Sequence, residues 1–387
     1  MLKKNTFDIV IIGAGAIGCS IAYHLSKQSQ NKLKIAVLDR GTIAEEASSG
    51  AAGMIAAQVE TQEPGPFLQL ALTSRDLFPT LTEELHNLSG IDIEYQSSGI
   101  AAIAYNPHHQ KILMNRISWQ KKAKLNTQWL NPEQSIDQFP FLKKPLGTLW
   151  APNDGQVLSS RLTYAFAESA KKCGVVFLEK TPIQTLDFNK HSNKKIESLN
   201  QTYFADQFIF ATGAWSEQLL GKNVPVFPIK GQLIFFEIPE SWRKKFEWTS
   251  PIYFGSTPSA NPIHCYFVPK KDGNLILGAT TEPNTFDKLE SQSAIEEMTH
   301  YAIQIFPELE NFPIKGSWVG LRPGSPDKLP LLGTIQPYQN AWIASGHFRN
   351  GIMLSPITGK LMSEWILTGK PSLDLSAFNP NRFNLHV

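Results

Sequence analysis

Residues 7–18 read Phe-Asp-Ile-Val-Ile-Ile-Gly-Ala-Gly-Ala-Ile-Gly, a β-branched run that leads directly into the pattern G-x-G-x-x-G. The run has the composition of a buried parallel strand, and the apolar residues after it have helical spacing. Gly13 permits a tight turn, Gly15 lets a pyrophosphate approach the main chain, and Gly18 lets the helix pack on the strand. A second strand ends at Asp39, 21 residues after Gly18, where an acid can bind an adenosine ribose. The stretch predicts a dinucleotide-binding unit, with a plain βαβ unit as the alternative.

The composition is that of an ordinary soluble globular protein, with 42% hydrophobic and 18% charged residues. The 387 residues are enough for two domains or for one elaborated α/β domain. A formal charge of +2 gives no reason to expect nucleic acid or an acidic membrane as a partner. No apolar run reaches the roughly 18 residues of a membrane span, and the N-terminus lacks the layout of a signal peptide. These features predict a protein without membrane insertion.

Cysteine and histidine patterns indicate no metal site. The three cysteines, Cys19, Cys173 and Cys265, are scattered and form no C-x-x-C pattern. His108 and His109 are adjacent, but no Cys, Asp or Glu stands near them, so a solvated polar turn is expected there. Reduced thiols in a cytoplasmic protein are therefore the prediction.

Residues 40–60 contain a run of small side chains without a periodic apolar face. The run lies just beyond the predicted ribose acid and includes Ser48, Ser49, Ala52 and Gly53. Small side chains would let main-chain amides approach a flat ring or a pyrophosphate. The run therefore indicates cofactor binding, and a flexible surface loop is the alternative.

The middle of the chain is predicted to extend the cofactor sheet. A helix over 159–173 precedes a strand over 174–178, whose extension reaches Ile183. Residues 184–206 are typical of a hairpin with a polar tip at 189–195. Further helices are predicted over 66–89, near 107–124 and over about 353–368.

A change of pattern after residue 224 predicts a second domain. Residues 208–216 form a buried strand that ends in a glycine turn, as in a second pass of the cofactor domain. From 224 to 315, β-rich runs and a helix near 291–305 predict an antiparallel sheet with a covering helix. The expected segments are 1–90, 151–223 and 316–387 for the cofactor domain, and 91–150 and 224–315 for the inserted substrate domain.

Five sequence blocks occur in the order seen in the D-amino-acid-oxidase family of flavoproteins, which the chain resembles over nearly its whole length. They are the glycine fingerprint with its acid, Ser48–Met54, Ala211–Trp215, Gly320–Gly324 and His347–Gly351. The last two blocks are the most specific. The resemblance implies an α/β fold of the glutathione-reductase-2-like type, with a Rossmann-like FAD-binding domain and an inserted antiparallel-sheet substrate domain.

The resemblance is strongest to members that oxidise glycine for thiamine thiazole synthesis. It implies oxidative deamination of glycine and other small amines, such as sarcosine and small D-amino acids, with release of ammonia and hydrogen peroxide. The implied partners are the amine and dioxygen, in a homotetramer, and transfer of the imine to a thiazole synthase stays open. An FAD-dependent dehydrogenase that reduces a quinone is the runner-up. A flavin-binding scaffold and a nicotinamide enzyme are weaker alternatives.

The resemblance assigns four residues to the substrate pocket and a fifth to its entrance loop. Arg322 corresponds to the arginine that binds the substrate carboxylate, a task that suits a guanidinium because it binds bidentately and stays charged. Tyr266 corresponds to the tyrosine whose hydroxyl bonds the same carboxylate. Arg349 lies near the pocket, Met54 lines it over the flavin ring, and Glu60 belongs to the entrance loop.

The same resemblance implies FAD bound non-covalently. No cysteine stands near Gly320, where related enzymes attach the flavin covalently. The expected cofactor-binding residues are Gly13, Ala14, Gly15, Ala16, Ile17, Gly18, Asp39, Arg40, Ser48, Ser49, Ala52, Gly53, Met54, Ile183, Thr212, Gly213, Trp215, Gly346, His347, Phe348, Arg349, Asn350, Gly351, Ile352 and Met353. Thr281 stands where a relative can carry Met, which leaves the pocket size and the preferred amine open.

Overall fold

A computed structural model describes residues 5–187, 195–259, 262–336, 338 and 340–383. In these ranges the strands are β1 (Asn5–Ile12), β2 (Ile35–Leu38), β3 (Met54–Ile55), β4 (Ile100–Ala104), β5 (Gln128–Leu130), β6 (Gly147–Ala151), β7 (Gly155–Gln156), β8 (Val176–Leu178), β9 (Ile183–Asp187), β10 (Lys195–Ser198), β11 (Thr202–Phe210), β12 (Phe227–Glu237), β13 (Ile252–Ser256), β14 (His264–Pro269), β15 (Asn274–Gly278), β16 (Glu282–Pro283), β17 (Ile314–Gly324), β18 (Leu331–Thr334) and β19 (Ala341–Ser345). The α-helices are α1 (Ala16–Gln28), α2 (Ala47–Gly50), α3 (Pro66–Ser89), α4 (Pro107–Lys122), α5 (Pro132–Gln138), α6 (Ser159–Lys172), α7 (Ser216–Leu220), α8 (Glu240–Lys245), α9 (Gln292–Ile305) and α10 (Gly351–Thr368).

The first sheet has the strand order β18-β19-β11-β1-β2-β8, and the pairs from β19 to β8 are parallel. The β9-β10 hairpin extends it through β11. The central strand β1 is buried on both faces, which explains its continuous apolar sequence. Ile11 packs among α1, α3, α6 and α10, whereas Val10 belongs to the apolar cluster on the opposite face. The predicted parallel sheet is therefore confirmed.

The turn between β1 and α1 brings three pieces of main chain into close contact. Gly13 has φ of +110°, and a Cβ built there would lie 2.3 Å from the carbonyl oxygen of Ala211 at the end of β11. A Cβ built at Gly18 would lie 1.9 Å from the carbonyl oxygen of Gly13. Glycine is therefore required at both positions, for the reasons that the sequence pattern suggested.

The second sheet has the strand order β16-β12-β15-β14-β13-β4-β6-β5, with β17 paired along the whole of β12. All of these pairs are antiparallel except the parallel pair of β4 with β13. Strands from residues 100–151 and from 227–324 therefore share one sheet. The expected antiparallel sheet is confirmed, apart from that one parallel pair.

Alternation along the strands gives the second sheet two different faces. One face carries a cluster rich in aromatic side chains, which includes Phe254, Phe267 and Phe306 and packs on α9. The other face carries Leu233 and Val268 and packs on the loop between α2 and β3. Consecutive residues of β12 and β14 thus serve a structural core on one side and face the first sheet's loops on the other.

Lys270 connects the second sheet with two loops of the first half of the chain. Its Nζ donates to the carbonyl oxygen of Ala52 at 2.7 Å, to Gln156 Oε1 at 2.9 Å and to the carbonyl oxygen of Val157 at 3.1 Å. These acceptors satisfy all three donor hydrogens of the ammonium group. The β14-β15 turn is therefore tied to the small-residue run that follows α2.

Helix and strand predictions agree with the structure at most places and differ at two. Helices α3, α6 and α9 confirm the predicted ranges. The extension of the strand to Ile183 is wrong, because the chain turns at Lys180 (φ +52°) and Ile183 begins the separate strand β9. His108 and His109 lie in the first turn of α4 rather than in a turn between elements. Most of the predicted hairpin tip at 189–195 lies outside the described residues, and position 195 begins β10.

No helix within the described ranges combines the length and the apolar character that a bilayer span requires.

Helices α1 and α10 cross so closely at Gly359 that one added methyl group there should destabilise the protein. A Cβ built at Gly359 would lie 2.2 Å from Ser20 Oγ and 2.8 Å from the Ser20 carbonyl carbon. We expect Gly359→Ala to lower the free energy of unfolding by about 1–3 kcal/mol, because the helices must separate. Denaturant unfolding at one fixed FAD concentration measures the change. Gly65→Ala is the control, since a Cβ there meets no atom within 4 Å. Equal stability of the two variants would contradict the close crossing.

Candidate active site

A cavity of about 490 Å³ runs between the two sheets. It begins at the carboxyl ends of β1 and β2, passes the loop after β11 and the start of α10, and ends at β12, β14 and β17. The crevice beyond the carboxyl ends of parallel strands is the usual ligand site of α/β sheets. The cavity therefore joins sequence blocks that stand far apart in the chain.

Most residues expected to bind cofactor or substrate line this cavity. They are Gly13, Gly15, Ala16, Ile17, Asp39, Arg40, Ser48, Ala52, Gly53, Met54, Ile183, Thr212, Gly213, Trp215, Tyr266, Arg322, His347, Phe348, Arg349, Asn350, Gly351 and Ile352. Five expected residues are not part of the lining: Ala14, Gly18, Ser49, Gly346 and Met353. Ser49 donates its hydroxyl hydrogen to carbonyls of its own turn, and Met353 is buried in the helical core.

Asp39 marks one end of the cavity. Its Oδ2 accepts a hydrogen bond from Ala14 N at 2.6 Å, and its Oδ1 accepts one from Gly41 N at 2.8 Å. Burial raises the pKa of its carboxyl group, against the lowering effect of these two donors. Beside it, the Arg40 guanidinium stacks on the Trp215 ring, with Cζ 3.6 Å from the ring centroid. A carboxylate acceptor and an aromatic face suit a ribose and its base.

The N-terminus of α1 lies in the middle of the cavity. Its N-cap is Gly15, and a Cβ built there would lie 3.1 Å from Ser48 Oγ. Ser48 Oγ accepts a hydrogen bond from Ala16 N at 2.9 Å. The absence of a side chain at Gly15 leaves this helix end open to the cavity. A helix N-terminus carries partial positive charge, so this position suits a pyrophosphate.

The turn before α10 forms another wall. His347 is 2% exposed, and its Nε2 lies 3.1 Å from Thr358 Oγ1. Its Nδ1 has no hydrogen-bond partner among the described residues. Burial lowers the pKa of His347 to about 3, so the imidazole is neutral near neutral pH. Gly351 and Ile352 also line the cavity, so the N-terminal turn of α10 contributes to it.

Arg322 and Tyr266 lie together at the end of the cavity formed by the second sheet. Arg322 Nη1 donates to the carbonyl oxygen of Thr280 at 2.9 Å. A Cβ built at Gly231 on the neighbouring strand would lie 2.0 Å from that nitrogen, so the guanidinium occupies space that only glycine leaves. Burial lowers the pKa of Arg322, but arginine keeps its proton at neutral pH. Burial also raises the pKa of Tyr266, so its hydroxyl remains a donor.

A third group, Glu60, completes this end of the cavity. Glu60 Oε1 accepts a hydrogen bond from Tyr253 Oη at 2.5 Å, and Glu60 Oε2 lies 3.6 Å from Arg349 Nη1. Attraction to Glu60 is the main cause that raises the pKa of Arg349. The sequence interpretation placed Glu60 at the entrance but missed Tyr253. Tyr253 reaches the site because it pairs with Tyr266 across β13 and β14, and the spacing of residues in the sequence does not reveal this pairing.

The residues present fit FAD. A half-buried carboxylate, an open helix N-terminus and a run of small residues all line the cavity, which suits a dinucleotide. The Nδ1 atom of the buried His347 has no hydrogen-bond partner among the described residues, and a bound flavin would offer it one. Cys265 lies in the aromatic cluster on the far face of the sheet, so its thiol is not placed for a covalent bond to the flavin.

Comparison with known proteins identifies the family. Residues 8–365 match the family model of the FAD dependent oxidoreductases (DAO). The chain is 32% identical over 383 residues to the glycine oxidase of Geobacillus kaustophilus (strain HTA426), covering 98% of this chain and 97% of that protein. A crystal structure of glycine oxidase from Geobacillus kaustophilus matches with a TM-score of 0.90 at 30% identity, covering 98% of this chain and 99% of the other.

A second kind of relative is longer. The bifunctional protein ThiO/ThiG of Synechocystis sp. (strain ATCC 27184 / PCC 6803 / Kazusa) is 35% identical over 382 residues, covering 98% of this chain but 54% of that protein. The chain thus spans about half the length of this relative and nearly all of the glycine oxidase. With the fold, the cavity and a family match over nearly all its residues in agreement, the chain belongs to the DAO family of FAD dependent oxidoreductases.

Proposed function

We propose that this protein is an FAD-dependent oxidase that deaminates glycine and other small primary and secondary amino acids. The observation that carries the proposal is the meeting of Arg322 and Tyr266 at the end of a cavity that fits FAD. Full-length similarity to glycine oxidases supports the choice of substrate. The amine loses two electrons and two protons and becomes an imine, which water converts to an α-keto acid and ammonia or an amine. Dioxygen takes up two electrons and two protons and becomes hydrogen peroxide.

The substrate end of the cavity would bind and orient the amino acid. The Arg322 guanidinium offers paired donors to the carboxylate, and the Tyr266 hydroxyl offers another. Leu233 and Met54 supply apolar walls that exclude water from the reacting carbon. Bound FAD supplies the electron acceptor for the amine. The protein would contribute by holding the Cα–H bond in position relative to the cofactor. Such positioning accounts for much of the rate acceleration in reactions of this kind.

The cofactor would be held along the rest of the cavity. We assign the ribose to Asp39, the pyrophosphate to the open end of α1 and Ser48, and the flavin to the small-residue run that ends at β3 and to the turn before α10. The partial positive charge at the N-terminus of α10 would stabilise negative charge on the reduced cofactor. The five expected residues outside the lining would support these segments without contact with the cofactor.

The pathway, the cellular compartment and the oligomeric state of the protein are further proposals. Similarity to a bifunctional ThiO/ThiG protein supports a role in thiamine thiazole synthesis, with a thiazole synthase as consumer of the imine. The described cysteines Cys19, Cys173 and Cys265 are free thiols, which favours a reducing cytoplasm. The homotetramer stays a prediction from the family resemblance.

Removal of the carboxylate anchor tests the substrate assignment. We expect the purified protein to release peroxide with glycine and sarcosine in air, and Arg322→Ala to lower kcat/KM for both by about 10- to 100-fold, because a charge-assisted hydrogen bond contributes about 1.5–3 kcal/mol. Flavin content should not change. Arg243→Ala, at an exposed position of α8, is the control and should keep kcat/KM within about twofold.

The same assay separates the alternatives. A kcat/KM for glycine and sarcosine that is unchanged in Arg322→Ala would refute the anchor. Flavin bleaching by amines without oxygen, combined with no peroxide in air, would show that the electron acceptor is not dioxygen. Neither peroxide nor bleaching would refute amine oxidation.

Non-covalent attachment of FAD is tested by acid precipitation of the holoenzyme. We expect all of the yellow colour in the supernatant, because Cys265 lies on the face of the second sheet away from the cavity. A coloured pellet that survives washing in denaturant would contradict non-covalent binding.

A further inference from the structure

The charged groups at the substrate end of the cavity are two guanidinium groups and one carboxylate, those of Arg322, Arg349 and Glu60. These three lining groups carry one net positive charge; a further cation, the half-buried Arg116, lies outside the lining, donates to the carbonyl oxygen of Val59 and is close enough to Glu60 to interact with its charge. Burial lowers the pKa of the neighbouring His264, so its imidazole is neutral near neutral pH. Arg349 is close enough to Arg322 that its charge adds to the lowering of the Arg322 pKa that burial causes. The end of the cavity is therefore matched to a ligand with one carboxylate.

Glu60 is fixed in this arrangement by the chain on which it stands. The main-chain N–H groups of Gln58 and Val59 donate to Asp154 Oδ2 at 2.9 and 3.1 Å, and Asp154 is completely buried. The Glu60 N–H donates to the carbonyl oxygen of Ala56 at 2.9 Å. The Glu60 side chain is 14% exposed and is held by Tyr253, as described above. Its carboxylate therefore stays beside Arg349 and does not swing into solvent.

We propose that Glu60 is a specificity-determining residue, which occupies Arg349 and so makes the pocket reject amines with a second carboxylate. The inference rests on the proposed function and defines its substrate class as monocarboxylate amines. A second carboxylate near Arg349 would meet the negative charge of Glu60, whose Oε2 lies 3.6 Å from Arg349 Nη1. Repulsion of an unwanted ligand is as effective a source of specificity as attraction of the wanted one.

Removal of the Glu60 charge should open the pocket to dicarboxylates. Glu60→Gln keeps the shape of the side chain and an oxygen that can accept from Tyr253, while Arg349 loses its partner. The matched substrates are sarcosine and iminodiacetate, which differ in one carboxylate, and likewise D-alanine and D-aspartate. We expect the ratio of kcat/KM for iminodiacetate to that for sarcosine to rise by about tenfold or more, equivalent to about 1.4 kcal/mol.

Two variants separate charge from other effects. Glu63→Gln removes the same charge from an exposed position three residues further along, and it should leave the ratio unchanged. Glu60→Gln combined with Arg349→Met removes the cation that the second carboxylate would bind, so the gain should disappear. A gain that survives in the double variant would refute the role of Arg349.

Binding of unreactive anions keeps this test independent of turnover. Titration of the holoenzyme with acetate and with malonate, followed by the flavin absorption spectrum, gives dissociation constants without oxidation. Malonate should bind better relative to acetate by about tenfold in Glu60→Gln. The same shift without amine oxidation would support the charge assignment and refute the proposed function. Oxidation of sarcosine with unchanged ratios in both experiments would refute the role of Glu60 and leave the proposed function intact.

Discussion

The close approach of β1, α1 and the end of β11 is the constraint on which the site depends. Gly13 and Gly18 let three main-chain segments meet where any side chain would overlap the carbonyl oxygens of Ala211 and Gly13. That contact sets the direction of α1 and aims its open N-terminus into the crevice of the parallel sheet. The position of the pyrophosphate site is thus a consequence of main-chain packing, and the other cavity segments are arranged around it.

The second sheet completes the site from the opposite side. Its inner face carries Tyr266 and Arg322, and Lys270 ties its β14-β15 turn to the carbonyl oxygen of Ala52 in the small-residue run. Because that run also lines the cavity, the segments proposed to hold the flavin and the substrate share a rigid connection. Such a connection would preserve the orientation of the substrate relative to the cofactor.

Sequence reasoning recovered the features that local physics determines. The βαβ unit follows from short-range patterns, since the turn glycines, the apolar strand and Asp39 all lie within 40 residues. The pocket residues Arg322 and Tyr266 required a family resemblance, because nothing in their local spacing indicates that they meet. Tyr253 and the Glu60–Arg349 contact could not be predicted, since they depend on strand register and on loops about 190 and 290 residues apart in sequence. The turn at Lys180 was missed because its cause is a tertiary contact with Gly41.

The two-faced second sheet also bears on how such a protein can change through evolution. Residues that face the cavity alternate along β12 and β14 with residues of the aromatic cluster, so neighbours in sequence are under different selection. Substitutions on the cavity face can alter ligand preference without disturbing the packing that keeps the sheet folded. Substitutions in the aromatic cluster can likewise be compensated by neighbouring side chains without altering the residues that face the cavity. One scaffold can therefore diversify in substrate while its stability is inherited almost unchanged.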